Sequence, residues 1–197
     1  MYGKVGPNTI AVGGTGPIRI AGDGSVVISP GLTDAALAGR LFYAANQAAV
    51  ATTTTLNTTF TGLALSNPST SGKIFILREF SWGLSVVASA AGLLALASCT
   101  IAVPAQATGV TPRCTRIGYA TSAAITDDGA TTVGPALVKP ITTYGTGAVT
   151  TWQGATQQVA KLDGQIIIVP GQTIVTDTTT ATTAAFLFGF LWEEIPM

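Results

Sequence analysis

The sequence predicts an all-β sandwich, and three observations carry that expectation. Threonine, which is β-branched and fits a pleated surface better than a helix, comes in blocks such as Thr52-Thr53-Thr54-Thr55, Thr58-Thr59 and Thr178-Thr179-Thr180. Gly (23) and Pro (10) punctuate the chain throughout, as the turns between many strands require. Between these breaks the apolar residues mostly recur with a period of two.

Taken in order, the elements are short. Residues 1–39 are expected to form an N-terminal β arm. In it Thr9-Ile10-Ala11-Val12, Pro17-Ile18-Arg19-Ile20 and Ser25-Val26-Val27-Ile28 read as strands parted by Gly13-Gly14-Thr15-Gly16 and Gly22-Asp23-Gly24. Strands of about four residues bury little by themselves. The arm is therefore expected to order against a partner subunit, with Ile10, Val12, Ile18 and Ile20 as its contact residues. Residues 30–39 fit one or two helical turns, with Thr33 as N-cap and Asp34 favourable in the first turn.

Residues 40–197 are expected to form the sandwich. Its start is ambiguous: Leu37, Leu41, Ala44, Ala45 and Ala48 fit a helix, whereas Leu41, Tyr43 and Ala45 fit a strand, and the threonine block downstream favours extended chain. Residues 60–65 read as a strand ending in the turn Ser66-Asn67-Pro68-Ser69-Thr70-Ser71-Gly72. Residues 73–87 then alternate, with Ile74, Ile76, Arg78 and Phe80 against Phe75, Leu77 and Glu79. Further strands are expected near 115–121, 137–142, 165–169, 173–177 and 185–193, the third and fourth parted by Pro170-Gly171. About nine short strands with hardly any helix indicate a sandwich of the jelly-roll kind.

Residues 83–103 are uncharged and long enough to cross a bilayer as a helix. Ser85, Ser89, Ser98 and Thr100 dilute the run, Ala90-Ala91-Gly92 sits mid-span like a turn, and Pro104 closes it. Two strands account for these features, one with Leu84, Val86 and Ala88 on a face and one with Leu93, Ala95, Ala97, Cys99, Ile101 and Val103. No membrane partner is expected.

Charge narrows the function. Lys+Arg number 9 and Asp+Glu 9, or 9% of residues, against about 25% in ordinary soluble chains. The net charge is +0 and no run of Lys or Arg occurs, so nothing is built to grip a phosphate backbone and no nucleic acid is expected. Histidine is absent, which removes the commonest general acid/base and metal ligand at neutral pH. No enzyme activity, no cofactor and no metal are expected. The start, Met1-Tyr2-Gly3-Lys4-Val5-Gly6-Pro7, lacks a basic cluster leading into an apolar stretch, so synthesis in the cytoplasm is expected. Cys99 and Cys114 are then expected as buried free thiols.

Local motifs resolve into structural roles. Gly13-Gly14-Thr15-Gly16 lacks the Lys-Ser/Thr pair of a phosphate loop. Asp127-Asp128-Gly129 lacks the later acidic residues of a calcium loop and reads as a solvated turn. Glu193 and Glu194, adjacent on a strand, point to opposite faces and cannot share a proton. Trp82, Trp152 and Trp192 are the largest apolar groups, each divided between core and interface. Arg113 and Arg116 are candidates for fixing register in an interface. Apolar or small residues on both faces of most strands imply that both faces are covered.

The string Gly39-Arg40-Leu41-Phe42-Tyr43-Ala44-Ala45-Asn46-Gln47-Ala48-Ala49-Val50, with Thr61-Gly62-Leu63-Ala64-Leu65-Ser66-Asn67-Pro68 and Ser71-Gly72-Lys73, resembles a family of tailed-bacteriophage virion structural proteins. Thr111-Pro112-Arg113, the run 165–171 (Gln-Ile-Ile-Ile-Val-Pro-Gly) and the ending Leu191-Trp192-Glu193-Glu194-Ile195-Pro196 extend the similarity over residues 40–197. The resemblance implies a place in a virion. With the composition, it leads to the expectation of a capsid decoration, or cement, protein: a homotrimer on the outer surface of the capsid, bound to the major capsid protein. The alternative is a head-fibre or tail-spike module that recognises a cell-surface glycan; a membrane pore using residues 83–103 is a third reading.

Overall fold

A computed structural model describes residues 31–52, 59–84, 90–99, 109–131, 135–144, 158–180 and 182–197. The chain divides into Met1–Asp34 and Ala35–Met197. The expected arm strands, with Ile10, Val12, Ile18 and Ile20, lie outside the described residues, as does Trp152.

A helix, α1 (Gly31–Leu37), is followed by strands β1 (Leu41–Ala45), β2 (Val50–Thr52), β3 (Thr59–Ser66), β4 (Lys73–Leu84), β5 (Gly92–Cys99) and β6 (Gly109–Val110). Then come β7 (Arg113–Cys114), β8 (Ile125–Thr131), β9 (Ala136–Tyr144), β10 (Gln158–Ile168), β11 (Thr173–Thr178) and β12 (Thr182–Pro196). They form two antiparallel sheets packed as a β-sandwich. The first runs β10-β4-β12-β1-β7 with β2 also on β12, and the second β6-β8-β3-β11-β5-β9.

Strand β12 organises the first sheet. It pairs with β4 from Phe186↔Leu84 to Pro196↔Lys73 and with β1 from Leu41↔Glu193 to Ala45↔Gly189. Its alternation Phe186, Phe188, Phe190, Trp192 sends four aromatic rings inward, all buried. Phe186 and Phe188 stack at 5.1 Å, Phe80 lies 5.3 Å from Phe190, and Trp192 stacks on Phe42 at 6.1 Å. The second sheet answers with aliphatic residues, Leu63, Leu65, Leu94, Leu96 and Ile174. Large rings on one side and branched chains on the other interdigitate without an oversized layer.

Buried amides tie the strand ends. The Asn46 side chain extends the ladder beyond β1, its Nδ2 donating to Phe186 O at 3.0 Å and its Oδ1 accepting from Phe188 N at 2.6 Å. Asn67 Nδ2 donates to Lys73 O and Ile168 O at 2.8 and 2.9 Å, so the turn after β3 is fixed to the start of β4 and the end of β10. An unpaired amide at such sites would cost about 1–3 kcal/mol.

Several expectations need correction. α1 begins at Gly31, so Thr33 lies inside the helix rather than at its N-cap, though Asp34 stands in the first turn. No strand spans 115–121: the strand ends at Cys114 and a turn follows, closed by the bond from Tyr119 N to Arg116 O. Asp127-Asp128-Gly129 is not a solvated turn but the middle of β8, with Asp127 buried. Strand β10 begins seven residues before the expected start, because the turn-like Asp163-Gly164 is an irregularity within it. Residues 83–84 and 92–99 lie in strands, and no helix among the described residues is long and apolar enough to cross a membrane.

The odd-numbered face of β5 differs from expectation in its partners. Leu94 and Leu96 enter the main core, whereas Ala97 and Cys99 join Ala64 and Val175 in a second, smaller cluster. Cys99 and Cys114 are both free and buried. Burial pushes the Cys99 thiol from 9.0 up to about 11 and raises Tyr144 as well. An acid that ionises less readily in the folded chain leaves stability untouched below about pH 9. Stability is then lost towards pH 11, where only the unfolded chain has released the proton. Between pH 8 and 11 the unfolding free energy of the wild type, from urea titrations, should fall about 2–3 kcal/mol further than that of Cys99→Ala; parallel curves would show that the thiol is not shielded.

Candidate interaction surface

The outward face of the first sheet follows from the register. Three cross-strand rows are Leu41–Glu193–Ile76–Ile167, Tyr43–Leu191–Glu79–Lys161 and Ala45–Gly189–Ser81–Val159, and Ile195 faces Ile74 beyond them. All point away from the core because their neighbours Phe42, Phe75, Phe190 and Trp192 point into it. Ile167 is 55% and Val159 50% exposed, Leu187 is exposed, and Ile74, Ile76, Leu191 and Ile195 are half-buried. These apolar side chains share the face with Glu79, Lys161 and Glu193.

At Gly189 the face is closed by a neighbour. A Cβ there would lie 2.0 Å from Tyr43 Oη and 2.6 Å from Ser81 Oγ, and those two oxygens are hydrogen-bonded at 3.0 Å. Tyr43 thus lies across the glycine and takes the place of its missing side chain.

The carboxylate pair splits across the sheet. Glu193 faces outward, buried between Arg40, at 3.3 Å, and Arg78. The Nε atoms of both arginines are buried without a hydrogen-bond partner. Glu194 faces inward at the end of the sandwich. It pairs with Lys73 at 2.7 Å and accepts from Ala123 N at 3.0 Å, Trp192 Nε1 at 3.3 Å and Ser122 Oγ. Each carboxylate is committed to intramolecular partners, and Glu194 bolts the 122–123 segment to β12.

The 115–120 loop presents the most exposed large apolar side chain among the described residues, Ile117, at 87%. Its turn is rigid. Tyr119 N donates to Arg116 O at 3.1 Å, and Gly118 supplies the positive φ of 76° required at the third position of a type II turn. The Arg116 guanidinium lies 3.9 Å from the Tyr119 ring centroid and donates to Leu37 O at 2.8 Å. Thr115 N and Oγ1 both donate to Leu41 O.

On the opposite side of the sandwich, β9 and β10 are the outermost strands of their sheets. A cleft of about 260 Å³ opens there, lined by Val138, Gln165, Ile166, Ile167, Gln172 and Ile174 among others. Lys139 Nζ donates to Gln165 Oε1 across it. Val138 is exposed and Ile167 more than half so.

Of the residues singled out in the sequence, Trp192 is wholly buried, so its place is in the core rather than at the surface. Trp82 is half-buried and stacks on Phe80 at 5.5 Å. Arg113 is exposed and, among the described residues, forms no ion pair. Arg116 holds its own turn. Sequence reasoning missed Ile117, Val138 and Ile167. Their only signal was an apolar residue where a turn or an outward strand position calls for a polar one. Among the described residues no three His, Cys, Asp or Glu side chains gather in a way that could hold a metal ion.

Comparison of the chain with protein-family models, curated proteins and solved structures finds no match.

Replacing Glu194 by Ala would leave Lys73, Trp192 Nε1 and Ala123 N without their acceptor and should cost about 3–5 kcal/mol of stability in chemical denaturation. Ile167→Ser, on the exposed face, should change it by less than about 0.5 kcal/mol. Equal losses in the two variants would contradict the division between a bolted end and a free face.

Proposed function

We propose that the chain is a structural protein of a tailed-bacteriophage virion: a capsid decoration, or cement, protein that trimerises on the outer surface of the head and holds to the major capsid protein. The observation that carries this reading is the apolar outward face of β4, β10 and β12, with Ile74, Ile76, Val159, Ile167, Leu187 and Leu191 on an almost uncharged chain. Such a face is suited to adhesion. Burying about 1,000 Å² of apolar surface against neighbours would give a gross stabilisation of about 25 kcal/mol before association costs.

Strand pairing supports a jelly roll as the finer description of the sandwich. Leaving out β2, β6, β7 and β8, the remaining strands pair β1 with β12, β3 with β11, β4 with β10 and β5 with β9. These are the partners of one long hairpin rolled up across two four-stranded sheets, β1-β12-β4-β10 and β3-β11-β5-β9. Residues 1–39 serve in this reading as the arm that reaches a neighbouring subunit.

A contact built from apolar and hydroxyl groups is little screened by salt. In purified virions the chain should occur on the head in numbers on the order of hundreds, grouped about local three-fold axes, and should stay bound in washes from about 0.05 to 1 M salt. Mass-spectrometric copy counting with cryo-electron microscopy checks both. Tens of copies or fewer at the tail would overturn the cement role in favour of a receptor-binding module, and absence from the particle would overturn the virion assignment.

A further inference from the structure

We propose that Asp163-Gly164, the kink in β10, is a site of spontaneous covalent modification, at which the aspartyl peptide bond rearranges through a cyclic imide to an isoaspartyl linkage. The inference stands on the backbone of β10 and is independent of the virion reading.

The chemistry needs an aspartyl side chain, a following amide nitrogen free to swing onto it, and no bulk on the residue that carries that nitrogen. The Gly164 nitrogen attacks Asp163 Cγ, and a new C–N bond closes a five-membered ring. The nitrogen gives up its hydrogen, which leaves with the carboxyl hydroxyl as water. Solvent water then adds at the main-chain carbonyl of Asp163, and the old peptide C–N bond breaks. One water is lost and one regained, so no oxidant or other reactant is needed. The product runs its main chain through the former side chain, one methylene longer, and carries a free α-carboxylate.

The fold supplies these conditions at one place. β10 is the outermost strand of the first sheet, so in that sheet only β4 pairs with it. The pairing reaches Lys161↔Glu79 and resumes at Ile166↔Leu77, which leaves residues 162–165 opposite Arg78 alone. Asp163 is exposed there, with a φ of 45°, and Gly164 has one of 81°. A side chain in that left-handed region is strained, so the kink gives up less on local opening than a regular rung does. The glycine cannot be exchanged for a residue that would shield the amide, because a Cβ at 164 would lie 3.2 Å from Ile76 Cγ2. The residue that makes the kink possible also leaves its own nitrogen unhindered.

The chain contains its own comparison. Asp128-Gly129 has the same chemistry, but it lies in β8, between β6 and β3. Gly129 N donates to Asp127 Oδ1 at 2.9 Å, Gly129 is paired with Thr61, and Asp127 is buried opposite Ala64. This amide has to leave its partners before it can reach Asp128 Cγ. A further pair, Asp23-Gly24, lies outside the described residues.

The test warms the folded full chain for weeks at neutral pH in heavy-oxygen water. Trypsin, cutting after Arg19, Arg116 and Lys161, then puts the three Asp-Gly pairs on separate peptides. Each passage through the imide writes one heavy oxygen into the chain, and electron-transfer fragmentation locates the extra methylene. Conversion at Asp163 should run at least about tenfold faster than at Asp128, the ratio set by the extra cost of opening the β8 ladder. In guanidinium chloride, with both segments open, the two rates should converge. Asp163→Asn, which keeps the left-handed preference and loses ammonia instead of water, should convert faster still. Asp163→Glu would need a six-membered ring and should leave position 163 unlabelled; circular dichroism verifies that both variants fold. Labelling at Asp163 no faster than at Asp128, a difference that persists in guanidinium chloride, or an Asn variant that does not convert would overturn the assignment.

Discussion

The aromatic ladder on β12 is the interaction from which the rest of the structure follows. Phe186, Phe188, Phe190 and Trp192 all turn to one side of a single strand, and all are buried. A slip of one residue in the pairing of β12 would carry all four rings to the outward face and bring Leu187, Gly189, Leu191 and Glu193 inside. Because β12 is flanked by β4 on one side and β1 on the other, its register sets theirs. That same register decides which side chains form the outward rows, so the outward face is a consequence of how the core is filled.

The two adjacent glutamates show how the core's demand and the surface's demand are separated by one step of the chain. Glu194, turned inward, would be intolerable in an apolar layer. It survives at the end of the sandwich, where Lys73, a backbone amide and the indole N–H meet it. Glu193, turned outward, is shielded by two arginines in an otherwise apolar row. The three ion pairs found among the described residues all involve these two glutamates, while Glu79 and Lys161 stand opposite each other in the next outward row.

Much of the fold was legible because alternation is a local property. The alternation of Ile74 and Ile76 with Phe75 and Leu77 announced β4, but Phe80, expected on the face of Ile74 and Ile76, is buried with Phe75 and Leu77, because the pairing with β12 shifts register between Leu191 and Trp192. What failed to show depended on distant partners. Asp127-Asp128-Gly129 has turn chemistry, yet Asp127 sits opposite Ala64 in a ladder, and only that pairing makes the segment a strand. Asp163 adopts a φ of 45° beside Gly164, which looks like a chain reversal in sequence but is absorbed as a kink within β10. The exposed apolar side chains were the least legible part. Isoleucine at 117 carries no periodic signal, and whether Ile167 or Ile168 faces the core is fixed by the register with β4, which sequence spacing cannot supply.

The outermost strands carry one more consequence. β9 contains Pro140, which offers no amide hydrogen, and β10 is interrupted between Lys161 and Ile166. Neither rim therefore presents an unbroken line of peptide groups to a stray strand. In a chain with so few charges to keep copies apart, these two broken rims discourage association through the backbone.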